Sequence, residues 1–233
     1  MTFVKIFSEL NKDDIDIAGG KGASLGEMTA AGIPVPPGYV VLTDAFEQFL
    51  DETDLRQEVR SLLSKVDDKT VHTAEYVSAE IQHLIKRADM PEDVRTAIGA
   101  AFNALDTEFV AVRSSATAED GAENAWAGQL DSFLNTTKET LHENVQKCWA
   151  SLFTPRAIVY RIEKGLRESH VSVAVVVQKM VESDNSGIAF SVHPVTEDPN
   201  QLIIEAGYGL GEAIVSGSIT PDSYVVEKGT GSK

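Results

Sequence analysis

The sequence contains one cysteine, Cys148, among 233 residues. An intramolecular disulfide is therefore excluded, and a reducing compartment fits. Basic residues are also scarce. Lys and Arg number 20 against 36 Asp and Glu, a formal net charge of −16. Such a chain lacks the basic surface that nucleic acids or anionic membranes require. It can still take a small phosphate compound, because that needs only local positive charge. Long apolar runs are missing too: "VSVAVVVQKMV" is well short of the about 20 residues that cross a bilayer as a helix. The opening "MTFVKIFSEL" has no basic segment leading into an apolar one, so no signal peptide is expected and the chain reads as cytoplasmic. His72, His83, His142, His170 and His193 are scattered without metal-ligand spacing. No residue is therefore assigned to a metal.

What is present is an ordinary globular composition, 42% hydrophobic and 24% charged, enough for one large domain or two small ones. Leu25, Met28 and Ala31 recur at helical spacing, so a helix is expected from Ala23, stopped at Gly32. The prolines of "IPVPPGYVVL" favour extended chain running into a strand at 39–42. "TDAFEQFLD" reads as a capped amphipathic helix. Residues 54–106 form a helical insert, with helices near 54–65, 70–88 and 91–105. "EFVAVRSS" and "DSFLNT" have strand character, and 138–168 returns to helix with a break at Pro155. Beyond 170 the β-branched run, the turn cluster "ESDNSG" and "IAFSVHP" read as a hairpin, followed by strands in "NQLIIEAGYGLG" and "DSYVVEKG". The expected fold class is α+β. A helix-rich region, 1–170, precedes an antiparallel sheet region, 171–233.

Five stretches offer chemistry. In "AGGKGASLGEM", Lys21 sits among glycines before a helix. Glycines expose backbone N–H groups to an anion, the helix start adds its dipole, and the lysine adds a full charge. The order is not that of a Walker A loop, and a turn with a solvated lysine explains the pattern as well. In "VAVRSSATAED", Arg113 ends a strand, and the following hydroxyls complete a set of donors for an anion. An ion pair with Glu119 or Asp120 is the alternative. In "WAGQLDSF", Gly128 allows close approach and Ser132 offers a hydroxyl, although an ordinary loop has the same look. In "VVVQKMV", Gln178, Met180 and Val181 end a strand, where backbone and apolar groups suit an adenine base; periodicity alone makes them core. "EAGYGLGEAIVSG" has G-x-G-x-G without the dinucleotide spacing or βαβ context.

Taken in order, "AGGKGASLGEM", "GIPVPPGYVVLTDAF", "VAVRSSATAED", "WAGQLDSFLN" and "GYGLGEAIVSG" resemble the N-terminal ATP-binding domain of phosphoenolpyruvate synthases (pyruvate, water dikinases) over essentially the whole chain. Pyruvate phosphate dikinase and rifampicin phosphotransferase share that module. The resemblance implies an ATP-grasp fold with two subdomains around ATP, the second of them incomplete here. It implies that Lys21 and Arg113 hold the triphosphate. Gly128 and Ser132 fall on the nucleotide-contacting loop. Gln178, Met180 and Val181 fall beside the base, and Glu205 with residues 207–211 falls in the second subdomain. ATP and Mg²⁺ are the implied cofactors. In the intact enzyme a phosphohistidine on a separate domain relays phosphate to pyruvate in a third, a gluconeogenic kinase reaction. Neither domain's motifs occur in this sequence, so this chain is not expected to convert pyruvate alone. An uncovered strand edge near residue 228 is expected to invite self-association. The alternatives are a rifampicin phosphotransferase fragment and a non-catalytic nucleotide-binding or regulatory module. No role is expected for His193.

Overall fold

A computed structural model describes residues 2–66, 71–117, 131–163 and 172–229. The chain divides into two compact units, residues 1–180 and 181–233. Both combine helices with antiparallel sheet or consist mainly of sheet, so the α+β class holds.

In the first unit, β1 (Val4–Ile6) leads through a short 3-10 turn to α1 (Ile15–Ala30), then β2 (Gly38–Val41). Four helices follow: α2 (Thr43–Glu52), α3 (Leu55–Leu63), α4 (Val71–Arg87) and α5 (Glu92–Ala104). Then come β3 (Val110–Ala116), β4 (Ser132–Thr136), α6 (Leu141–Ser151), α7 (Pro155–Glu163) and β5 (Val173–Lys179). The expected helical insert and the strand–helix alternation after it are present. The break expected at Pro155 separates α6 from α7, which Pro155 opens. The proline takes the first helical position, where its missing N–H costs nothing, and Thr154 accepts the Ala157 N–H at 3.2 Å.

The strands form one antiparallel sheet in the order β1-β2-β5-β3-β4. The hairpin expected from the β-branched run therefore does not form. β5 lies in the middle of this sheet, with Val176 opposite both Val40 and Arg113. Five of its seven residues are buried, as a strand covered on both faces requires. One face holds Tyr39, Val41, Val110, Val112, Val175 and Val177 against the helices, around Phe46, Phe49 and Trp149. The two phenylalanine rings lie 5.7 and 5.0 Å from the indole. Tyr39 is fully buried, and its hydroxyl donates to the Ile98 carbonyl at 3.2 Å. The other face carries Val40, Ala174 and Val176, packed against α1 through Ala18, Ile17 and Leu25.

α1 begins at Ile15, eight residues before the expected start at Ala23, and contains the glycine cluster. Gly19 breaks it with φ 65° and ψ 171°, and the helix resumes at Gly20. Its far end closes as foreseen. Gly32 takes φ +73°, its N–H donates to the Thr29 carbonyl at 3.1 Å, and Ile33 N–H donates to the Met28 carbonyl at 3.0 Å. That pair is the Schellman stop.

The second unit is a three-stranded antiparallel sheet, β6 (Asn185–Phe190), β7 (Gln201–Tyr208) and β8 (Asp222–Glu227), with a one-turn helix α8 (Glu212–Val215). β7 is central, and every residue of the edge strand β8 is exposed. β6 starts inside the stretch read as a turn, and pairs with β7 instead of β5. Among the described residues, no helix is long and apolar enough to cross a membrane.

Candidate functional site

Lys21 is the second residue after the break in α1. Its backbone N–H donates to Ser115 Oγ of β3 at 3.1 Å, and Gly22 N–H donates to the same oxygen at 3.3 Å. The two N–H groups read as part of a phosphate cradle are thus bonded within the protein. The break itself lies hard against β3: a Cβ on Gly19 would come 2.3 Å from Ser115 Oγ and 2.4 Å from its carbonyl oxygen. Glycine at 19 is required by close approach to the sheet, and an anion is not what fills the space.

Arg113 lies two residues before Ser115, so both project to the same side of β3. Arg113 is opposite Ser132 on β4 and Val176 on β5. Gln178, two residues after Val176, projects to that side as well, opposite Ala111 and Gly38. Val176 belongs to the cluster beneath α1. The register therefore gathers Arg113, Ser132 and Gln178 on the sheet face that carries α1 and Lys21. Arg113 is half-buried and Ser132 is exposed, so a polar ligand has access to them.

The hydroxyls after Arg113 do not serve an anion together. Ser114 faces the opposite side, where its hydroxyl is buried with Ser151 Oγ at 3.0 Å and the Cys148 carbonyl at 3.4 Å. Thr117 Oγ donates to the Ser172 carbonyl at 3.3 Å. Strand alternation separates Ser114 from Arg113 and Ser115.

The strand end after Gln178 is also more committed than its sequence suggests. Lys179 N–H donates to the Pro37 carbonyl at 2.9 Å, and Met180 N–H to the Phe109 carbonyl at 3.1 Å. Gln178 Nε2 donates to the Pro36 carbonyl at 3.1 Å. Met180 closes the first unit, and Val181 opens the second with its side chain exposed. Glu205 belongs to the second unit, half-buried on β7 opposite Ile188 and Ser223. In the glycine run after it, Gly209 takes φ +80° and Gly211 precedes α8. Gly128 lies outside the described residues, as do Glu119 and Asp120, the alternative partners for Arg113.

Cys148 lies on α6, on the side of β3 that Ser114 faces, away from α1. Burial pushes its thiol up to about 12; the Ser114 hydrogen bond and the Lys21 charge pull it down, while the Asp131 charge pushes it further up. Cys148 Sγ lies 4.0 Å from the Asp131 carbonyl oxygen. Asp131 directly precedes Ser132, and Ser115 is the residue whose structural part was hidden in the sequence. Among the described residues, no group of three or more His, Cys, Asp or Glu is placed to hold a metal ion.

The family model described as "Pyruvate phosphate dikinase, AMP/ATP-binding domain" matches residues 15–232. A "Probable phosphoenolpyruvate synthase" of Methanothermobacter thermautotrophicus is 49% identical over 98% of this chain and 34% of its own length. One of the same name from Methanocaldococcus jannaschii is 49% identical over 99% of this chain and 20% of its own length. The "Phosphoenolpyruvate synthase" of Pyrococcus furiosus is 40% identical over 98% of this chain and 33% of its own length. The chain thus spans between 20% and 34% of the length of these relatives.

Proposed function

Because this chain belongs to the family of pyruvate phosphate dikinase AMP/ATP-binding domains, we propose that it binds ATP on the α1 face of its first sheet, with Lys21 and Arg113 on the triphosphate. The observation that carries this reading is the convergence of side chains there. Arg113 and Ser132 are cross-strand neighbours, and Lys21 is tied by its backbone to Ser115, two residues from Arg113. Two cations of different geometry suit a polyphosphate. The guanidinium offers a planar fork to two oxygens, and the ammonium acts as a point charge. In a chain of net charge −16, both are needed to offset the repulsion of an anion.

The nucleotide's other contacts follow from the same placement. Gln178 stands on this face with its carboxamide oxygen left to accept from a base amine, because its nitrogen is given to Pro36. The N–H of Met180 does not read the base, since it donates to the Phe109 carbonyl; its side chain supplies apolar contact. Ser132 contributes a hydroxyl from the same face.

Phosphoryl transfer asks for positioning and charge neutralisation more than for covalent groups. Lys21 and Arg113 would hold the phosphates in line and absorb charge that develops as a bond to phosphorus breaks. Mg²⁺ bound with the nucleotide would supply further neutralisation. The part proposed here for this chain is that of its two cations, Lys21 and Arg113. In a full-length protein the phosphoryl group passes to a histidine of another domain and then to pyruvate, giving phosphoenolpyruvate, AMP and phosphate. The work is cytoplasmic and gluconeogenic on this reading, and the exposed strand β8 is a route to self-association.

Calorimetry tests the site. Lys21→Ala and Arg113→Ala should each weaken ATP roughly 10- to 100-fold, the scale of one charge-assisted hydrogen bond. Arg87→Ala, at the end of α4, should leave affinity unchanged. Folded Lys21→Ala and Arg113→Ala proteins that bind ATP as the unaltered chain does would remove both residues from the site.

A further inference from the structure

A helix that restarts at Gly20 presents N–H groups at its first turn with no partner along the helix. The usual remedy is a serine, threonine or aspartate immediately before the first helical residue, whose side chain accepts from the second and third N–H groups. Here that preceding residue is Gly19, which has no side chain. The second and third residues of the resumed helix are Lys21 and Gly22, and both donate to Ser115 Oγ, at 3.1 and 3.3 Å. Ser115 comes from β3, 94 residues away from Lys21 in sequence, and is fully buried. It occupies the space a local cap would use, which is why a Cβ at Gly19 would fall 2.3 Å from its oxygen.

We propose that Ser115 is a helix cap supplied in trans, a positioning residue that fixes Lys21 against the strand carrying Arg113 and so sets the spacing of the two phosphate-binding cations. The inference deepens the phosphate-binding reading above and rests on it. Arg113 and Ser115 share one strand and one side, so β3 holds the first cation directly and the second through a hydroxyl. Ser115 itself makes no contact with nucleotide. It also consumes two of the helix's N–H groups, so the phosphates meet the Lys21 ammonium and not those backbone donors.

The test compares two buried serines that are neighbours on β3. Ser115→Ala removes the cap. Ser114→Ala removes a hydroxyl of equal burial that points away, toward Ser151 and Cys148. Affinities for ATP and for adenosine are measured by calorimetry. Ser115→Ala should weaken ATP about 3- to 30-fold, the affinity equivalent of one lost cap, and leave adenosine unchanged. Ser114→Ala should leave both unchanged even where it lowers the unfolding midpoint. The Ser115→Ala loss should also largely vanish in a Lys21→Ala background, as expected when one residue acts through another. If Ser115→Ala weakens neither ligand, or both equally, while Lys21→Ala still weakens ATP, the positioning role is overturned and the site stands. If the unaltered chain does not bind ATP, or binds it equally well without Lys21, the site reading and this inference fall together. One arm needs no variant: in the unaltered chain the Lys21 and Gly22 amides should exchange about 100-fold or more slower than open amides. Exchange at open rates would overturn the cap even if Ser115→Ala failed to fold.

Discussion

Gly19→Ala is the sharpest perturbation the structure offers, because two costs coincide there. The backbone at φ 65° and ψ 171° lies in a region that is essentially glycine-only, worth about 1–3 kcal/mol for another residue. The added methyl would also stand 2.3 to 2.6 Å from the oxygen atoms and carbonyl carbon of Ser115. β3 cannot yield easily, since β4 and β5 hold it on both sides. Overpacking of this kind adds about 1–3 kcal/mol, for a combined loss of about 2–6 kcal/mol. Gly32→Ala is the matched control. Gly32 also has positive φ, but nothing lies within 4 Å of its missing Cβ, so it should lose only the left-handed term of about 1–2 kcal/mol. Urea unfolding followed by tryptophan fluorescence separates the two, because Trp149 sits in the core of the same unit. With a slope of about 2 kcal/mol per molar, the Gly19→Ala midpoint should fall by about 1–3 M and the Gly32→Ala midpoint by under about 1 M. Equal midpoints for the two variants would refute the close approach of α1 to β3 on which the site's geometry depends.

Other outcomes follow from buried titratable groups. Cys148 is fully buried with its thiol pushed up to about 12, so a thiol reagent at pH 8 should label the native chain far more slowly than the chain in urea; equal rates would contradict the burial. His142 donates through Nε2–H to the Arg95 carbonyl at 3.1 Å, and burial lowers its pKa below the usual value. The neutral form is favoured in the folded state, so stability should be full above about pH 6.5 and lost as pH falls through the folded pKa. His142→Asn should flatten that slope; an unchanged pH profile would show that the group does not contribute.

Much of the fold was legible because its signals are local. Helices α2 to α5 declare themselves in apolar spacing, and Gly32 in its position after Ala31. The partners of the central strand were not legible, for the same reason. A β-branched run, a turn cluster and another apolar run are a hairpin by every local rule, yet Val173–Lys179 finds partners at 38–41 and 110–116. Nothing within a short window states that preference. The site divides likewise. Lys21, Arg113, Ser132 and Gln178 were marked by residue type and order, and register puts the last three on the α1 face. The part of Ser115 was hidden, because the N–H groups it accepts belong to a helix 94 residues earlier in the chain. The glycine cluster looked like an anion cradle since glycine is needed wherever backbone comes close to something. What came close was a strand.

The central place of β5 also has a consequence for synthesis. The sheet's middle slot stays empty until Lys179 has left the ribosome. Until then β2 and β3 each lack the neighbour that joins β1-β2 to β3-β4 in the finished sheet. The roughly 60 residues between Ala116 and Lys179 take about 3–12 s to make at about 5–20 residues per second. Throughout that interval Gly38–Val41 and Val110–Ala116, both largely apolar, lack the neighbour that later covers them. A nascent chain in this state is open to wrong strand pairing. The first sheet is therefore completed only by its last strand, whose partners begin at residue 38.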